Sequence, residues 1–262
     1  MATAVADNRA RVHGIEIELT RKGKGAPLLM LHGGSGPTPG APFVGKLAER
    51  FEVFVPGHPG FGTSTLPKDF DHIEDLAYFY LDLMDEMNLK DVTLMGFSLG
   101  GWLSMEIAVK STARIKRLIL VDSVGVKFGT PTERDIADMF AHSPEQMAKL
   151  MWHDASKAPD PSKLTDEQAL IAGRNREAMA LYGWEPYLHD PKLKGRLHRI
   201  KVPTLVIWGA SDQLVTPDYG KKLAAAIPGA RFEVIEAAGH APNVEQPEKF
   251  LQLVNDFAGA NT

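Results

Sequence analysis

The stretch that most constrains this chain runs from Val92 to Gly101: Val-Thr-Leu-Met-Gly-Phe-Ser-Leu-Gly-Gly. Val92–Met95 suits a buried strand, and a helix-forming run begins at Trp102-Leu103-Ser104-Met105-Glu106-Ile107. Between them stands Gly96-Phe97-Ser98-Leu99-Gly100, a G-x-S-x-G pentapeptide. A serine on so sharp a turn needs small neighbours. Gly96 and Gly100 leave room for the backbone to fold back and hold Ser98 in a strained conformation. The helix behind it then aims its free N-terminal N–H groups at the space in front of the serine. The bland reading is a glycine-rich turn whose serine caps a helix. The strand before and the helix after are the context that a nucleophile requires.

Strands and helices alternate on both sides of this stretch. Val12, Ile15, Ile17 and Leu19 alternate with polar residues around a His13-Gly14 turn, which predicts an opening antiparallel hairpin. Leu28–Leu31 reads as a central strand that ends in His32-Gly33-Gly34-Ser35-Gly36-Pro37. A helix over Phe43–Arg50, a strand over Phe51–Val55, the turn-rich loop Pro56–Ser64 and an amphipathic helix over Ile73–Asn88 follow. Strand Arg117–Val121 ends at Asp122. The alternation stops at residue 125 and resumes with strand Pro203–Trp208, helix Pro217–Ala226, strand Arg231–Ile235 and helix Pro247–Ala258. Such alternation predicts an α/β fold with a doubly wound, mostly parallel sheet. Residues 126–199 show helical spacing and no strand: Ile136/Met139/Phe140, Met147/Leu150/Met151 and Ile171/Asn175/Ala178/Met179/Tyr182. Turn signals divide them, among them Gly129-Thr130-Pro131. The expected organisation is a core of residues 1–125 and 200–262 with a helical cap, 126–199, inserted in it.

Composition narrows the function. With 29 basic and 33 acidic residues the net charge is −4, which leaves no basic footprint for nucleic acid. No basic amphipathic run suggests a membrane surface, and no apolar run approaches the ~20 residues of a membrane span. The chain has no cysteine, so thiolate catalysis, disulfides and cysteine-bound metals are excluded. The first residues, Met1–Arg9, lack the apolar core of a signal peptide, and a cytoplasmic location is expected. A homo-oligomer stays open.

The elbow in its strand–helix context resembles that of the α/β-hydrolase superfamily, and the resemblance extends from about residue 12 to 258. It implies a Ser–acid–His triad in that chain order, each member on a loop after a strand. Ser98 is then the nucleophile. His240 is the base: it lies past the last strand, in a run G-H-x-x-x-x-E-x-P similar to the family's tail. Asp212, past the seventh sheet strand, is the favoured acid, and Asp122, past the sixth, is the alternative used by a minority of relatives. The oxyanion hole is expected from the backbone N–H groups of Leu99 and Gly34. His32 is expected to brace its loop, and His58 to be structural. Trp152, Trp184 and Phe128, from an aromatic and methionine-rich set in the cap, are expected to bind substrate.

The resemblance implies a serine hydrolase cleaving a carboxylic ester or related acyl bond of a small, largely apolar substrate, with no metal or organic cofactor. Dehalogenases and most epoxide hydrolases carry Asp at the nucleophile position, so Ser98 argues against both. Carbon–carbon hydrolases of ring-cleavage products keep the serine and an H-G-G loop, but usually have Trp directly after the histidine, where this chain has Ala241. Cofactor-free perhydrolases and lactonases share the triad. So do ligand receptors on the same fold, a different class altogether.

Overall fold

A computed structural model describes residues 8–130 and 132–259. Pro131 and the N-terminal residues 1–7, on which part of the turn and signal-peptide readings rest, lie outside the described residues. The chain opens with the expected hairpin: β1 (Arg9–Val12) and β2 (Ile15–Lys22) are antiparallel, joined through His13 and Gly14 at φ 46° and 85°. Then come β3 (Ala26–Leu31), α1 (Pro42–Leu47), β4 (Phe51–Pro56), α2 (Ile73–Glu86), β5 (Val92–Phe97), α3 (Leu99–Lys110) and β6 (Ile115–Val121). After the inserted segment the chain continues with β9 (Thr204–Gly209), α6 (Pro217–Ala226), β10 (Arg231–Ile235), α7 (Pro242–Glu245) and α8 (Pro247–Gly259).

Among the described residues, eight strands form one sheet in the order β1-β2-β4-β3-β5-β6-β9-β10, parallel from β4 through β10. The order reverses at β3, with β4 to one side and β5 to the other, so a crevice opens at the carboxyl ends of β3 and β5. Both faces are covered, which is why the central strands read as continuous apolar runs. Leu29, Leu31, Leu94 and Trp208 pack with residues of α2, α3 and α6, while Leu28, Met30, Met95 and Ile207 pack with α1 and α8. Alternate residues of one strand thus serve opposite layers. Helix α3 is buried from Leu99 to Val109, as an element at the centre of the sheet must be.

The segment between β6 and β9 departs from its expected form in two ways. Among its described residues two α-helices are present, α4 (Pro144–Met151) and α5 (Asp166–Gly183), each opened by a capping box, at Ser143/Gln146 and Thr165/Gln168. The helix expected around Ile136/Met139/Phe140 is absent, and that stretch is turns. The Asp135 carboxylate accepts the N–H groups of Phe128 and Gly129, and Tyr187 Oη accepts the N–H of Met139. The Ala137 N–H donates to Leu214 O and the Phe140 N–H to Asp138 Oδ1, so with Met139 three N–H groups of this stretch have partners other than those a helix would supply. The segment also holds a short parallel pair, β7 (Gly125–Val126) with β8 (His189–Asp190), where no strand was expected. Among the described residues, no helix is long and apolar enough to cross a membrane.

Candidate active site

Ser98 stands between β5 and α3 at φ 49°, ψ −112°, outside the regions an L-residue ordinarily adopts. Its N–H donates to Val121 O of β6 at 2.9 Å, and its carbonyl accepts the N–H groups of Gly101 and Trp102 at 3.0 and 3.1 Å. The two glycines of the pentapeptide are there for space. A Cβ on Gly96 would overlap the Gly100 carbonyl, and one on Gly100 would overlap the Leu31 carbonyl. The strain at Ser98 is therefore held by close backbone packing on both sides.

The His32–Gly36 turn comes up beside it from β3. A Cβ on Gly33 would lie 3.3 Å from the Ser98 Cβ. Gly34 follows in the same turn, and Leu99, the first residue of α3, carries one of the N–H groups that a helix start leaves without an intrahelical partner. The turn is braced by two buried histidines. His32 Nε2 accepts the His58 N–H at 3.0 Å, which leaves Nδ1–H to donate to Gly33 O at 2.7 Å. His58 Nε2–H donates to His32 O at 3.0 Å, so its Nδ1 accepts from Tyr80 Oη–H at 2.6 Å. The rings stack at 3.7 Å. The roles expected for both side chains match this network.

The two ring-nitrogen acceptors, His32 Nε2 and His58 Nδ1, each need a neutral imidazole. Burial pushes the His32 pKa down to about 4 and that of His58 well below its ordinary value, with the neighbouring His32 acting in the same direction. The unfolded chain binds protons near pH 6.5 that the folded chain refuses until about pH 4, so stability is full above 6.5 and falls as pH drops through this window. For His32 alone the loss amounts to about 3 kcal/mol. The urea midpoint of the wild type is expected to fall from pH 7 to 4.5, and more steeply than that of a His32→Asn/His58→Gln variant. Equal slopes would mean that these histidines are not held neutral.

At the ends of β9 and β10, His240 Nδ1 meets Asp212 Oδ2 at 2.7 Å, with both side chains almost fully buried. Asp212 Oδ1 accepts the N–H groups of Leu214 and Val215 at 2.9 and 3.0 Å. The carboxylate thus has two backbone donors on one oxygen and the histidine on the other. Asp122, the alternative acid, is buried in the same place: one of its carboxylate oxygens, one of Asp212 and a ring nitrogen of His240 lie within 4.8 Å of one another. The structure brings both candidate acids together, and it is Asp212 that bonds the histidine.

The inserted segment reaches this region at two places. The carbonyls ending α4 bond the acid and histidine loops: Leu150 O accepts the N–H of Gln213 and Leu214, and Met151 O accepts the N–H of His240 at 2.6 Å. Glu245, in α7, joins the same parts. Its carboxylate accepts the N–H groups of Gly239, His153 and Asp154 at 2.7, 3.2 and 3.1 Å. On the opposite side, α5 lies on the His32 turn. Asn175 donates to Ser35 O and accepts the Gly62 N–H, and a Cβ on Gly34 would overlap the Met179 thioether. Sequence reasoning assigned no role to Glu245 or Asn175. The available signals were the Glu of the G-H-x-x-x-x-E run and a lone Asn on the apolar stripe of α5.

The aromatic residues expected to bind substrate are spread widely. Trp152 ends α4, with its Cα beside Gly239 in the histidine loop. Trp184 is 56% exposed and packs edge-on against Phe140; it lines a cavity of about 550 Å³ with Tyr187 and Ile136. Phe128 packs edge-on against Tyr219, with Lys194 over its ring. From the wider methionine and aromatic set, Met179 touches the turn at Gly34.

Sheet order, elbow and histidine–carboxylate pair define an α/β-hydrolase. Residues 28–253 match the description of the alpha/beta hydrolase family, and the chain belongs to that family. It is 28% identical over 270 residues to the 2-hydroxy-6-oxo-2,4-heptadienoate hydrolase of Pseudomonas putida, covering 94% of each chain. Among solved structures it resembles a thermophilic esterase from Thermogutta terrifontis (TM-score 0.73, 25% identity, 97% of this chain and 96% of that one). It also resembles the enol-lactonase of Burkholderia xenovorans (TM-score 0.75, 25% identity, 96% and 100%).

Proposed function

We propose that this hydrolase cleaves a carboxylic ester or related acyl bond of a small, largely apolar substrate through Ser98, His240 and Asp212. The observation that carries the reading is the 2.7 Å bond between His240 Nδ1 and Asp212 Oδ2, in a fold that presents Ser98 on a strained elbow. Asp212 holds the imidazole as the Nδ1–H tautomer, which leaves Nε2 free to take a proton. Ser98 Oγ attacks the acyl carbon as its proton passes to Nε2. The oxyanion that forms is met by the N–H groups of Leu99 and Gly34, each donor of this kind contributing about 3 kcal/mol. His240 then protonates the leaving alcohol, and a water activated by the same nitrogen releases the acyl group.

Residues 126–199 act in this reading as a cap over the acyl site. Met179 beside Gly34 supplies a soft apolar wall, and Trp152 another surface near His240. Each further methylene buried is worth about 0.8 kcal/mol, or close to fourfold in kcat/KM. In a p-nitrophenyl ester series, kcat/KM is expected to rise from acetate to acyl chains of moderate length and to fall for long or branched ones. Met179→Ala, Trp152→Ala and Trp184→Ala are each expected to move the optimum. A preference for acetate that none of the three substitutions alters would remove the cap from specificity.

A second reading is carbon–carbon hydrolysis, which the Pseudomonas putida relative favours by its name. Ala241, where such enzymes usually have Trp, counts against it. Turnover of a 2-hydroxy-6-oxo-dienoate at a rate above that of any ester would select it. Single-turnover binding without release would select a receptor.

A further inference from the structure

Asp122 has no part in the mechanism above, yet its carboxyl lies in the same buried space as Asp212 and His240. It is fixed there by its backbone. Asp122 follows β6 in the left-handed region at φ 43°, which Asp and Asn tolerate better than other side-chain-bearing residues, and its N–H donates to Ile207 O. Its Oδ1 accepts the Gly209 N–H at 2.9 Å, whereas its Oδ2 is buried and meets no donor. Two carboxyl groups this close in a water-poor site cannot both be ionised. The donors decide which one keeps the charge. Asp212 receives two backbone N–H groups and the imidazole N–H, and Asp122 receives one N–H.

We propose that Asp122 is a positioning residue that carries a proton on Oδ2 at neutral pH and donates it as a hydrogen bond to the Asp212 carboxylate. Burial and the neighbouring Asp212 charge both push the Asp122 carboxyl well above the ordinary carboxylate range, in agreement with this placement. The acid–carboxylate pair bears one negative charge, spread over both groups. Dispersing it lessens the pull of Asp212 on the imidazolium that forms as His240 takes the serine proton. An orphaned Oδ2 and a fourth donor for Asp212 have the same origin. The titratable groups facing His240 are Asp212 and Asp122, with Glu245 on the Gly239 N–H and His153 on Ser211 Oγ beyond it.

The inference rests on the reading of Ser98, Asp212 and His240 as the triad, and its test separates the two. In Asp122→Ala the donor is lost. The acidic limb of the kcat/KM profile is expected to move up by about one pH unit, close to a tenfold loss on that limb. Asp122→Asn is expected to rescue most of this, because its amide oxygen can accept the Gly209 N–H while its NH₂ donates to Asp212. An ionised catalytic Asp122 gives the opposite result: the Asn variant is then as crippled as Asp212→Asn, and the proposal is overturned. Equal pH limbs for the Ala variant and the wild type overturn it too. The infrared difference between wild type and Asp122→Asn at pH 7 requires no activity. A carboxylic-acid C=O band that shifts in D₂O is expected in the wild type, and its absence rejects the proton on Asp122 even where Asp122→Ala does not fold. Activity surviving in Ser98→Ala would instead point to failure of the triad reading and leave the infrared result to decide on Asp122.

Discussion

Replacing Ser98 with alanine is expected to lower kcat for a good ester by about 10⁶, the order seen when a triad nucleophile is removed. A fluorophosphonate is expected to label the wild type once per chain and Ser98→Ala not at all. Loss of fold does not confuse the result. Alanine retains the Cβ, and the backbone at Ser98 is held from outside: by the N–H bond to Val121 O, and by Gly96 and Gly100, whose missing side chains let the turn close. Gly100→Ala makes the contrasting case. Its new methyl would overlap the Leu31 and His32 carbonyls, which belong to the strand and turn that lead to Gly34, so fold and activity are expected to fail together. Full labelling of Ser98→Ala would mean that the reactive serine is elsewhere.

This contrast explains what could be read in the sequence. The elbow was legible because its requirement is steric, and steric requirements are written locally: two glycines, a strand and a helix within ten residues. The sheet was legible because a strand buried on both faces must be apolar throughout, as Leu28–Leu31 and Val92–Met95 are. The bond between Asp212 and His240 spans 28 positions and has no local signature. It was reached through the order of strands that the family resemblance implies. The segment from 126 to 199 was legible only where helices carry caps, as α4 and α5 do. Around Met139 the apolar spacing is helical, but the Leu214 carbonyl and the Tyr187 hydroxyl, the latter 48 positions away, bind the backbone differently. Partners so distant leave no periodic trace. The same holds for Met179, whose place over Gly34 follows from how α5 docks through Asn175, and for the proximity of Asp122 to Asp212, since the chain order presents the ends of these strands as alternative sites for one acid and not as neighbours.

Asp212→Asn is expected to lower kcat by about 10⁴ while leaving the fold intact. The orientation of the new amide is fixed by the structure. Leu214 and Val215 N–H groups both point at the Oδ1 position, and an NH₂ there would face two donors with none to accept from it. The amide oxygen therefore takes that side, and the NH₂ turns to His240. A donor facing Nδ1 makes Nδ1 an acceptor, so the ring proton moves to Nε2. Nε2 then has no lone pair for the Ser98 proton, and the base is present in the wrong tautomer. The buried hydrogen bonds survive in number, so the unfolding midpoint is expected to change little. The loss should appear in kcat far more than in KM, because the tautomer matters in the step that takes the serine proton and not in holding the substrate. Asp212→Ala removes the orienting group without imposing the wrong tautomer, but it takes the carboxylate acceptor from the buried Val215 N–H, at about 1–3 kcal/mol, while the Leu214 N–H keeps only its longer bond to Leu150 O. It is expected to be less stable than Asp212→Asn. A variant Asp212→Asn with near-normal kcat would show that His240 is oriented by another group, and would end the assignment of Asp212 as the acid.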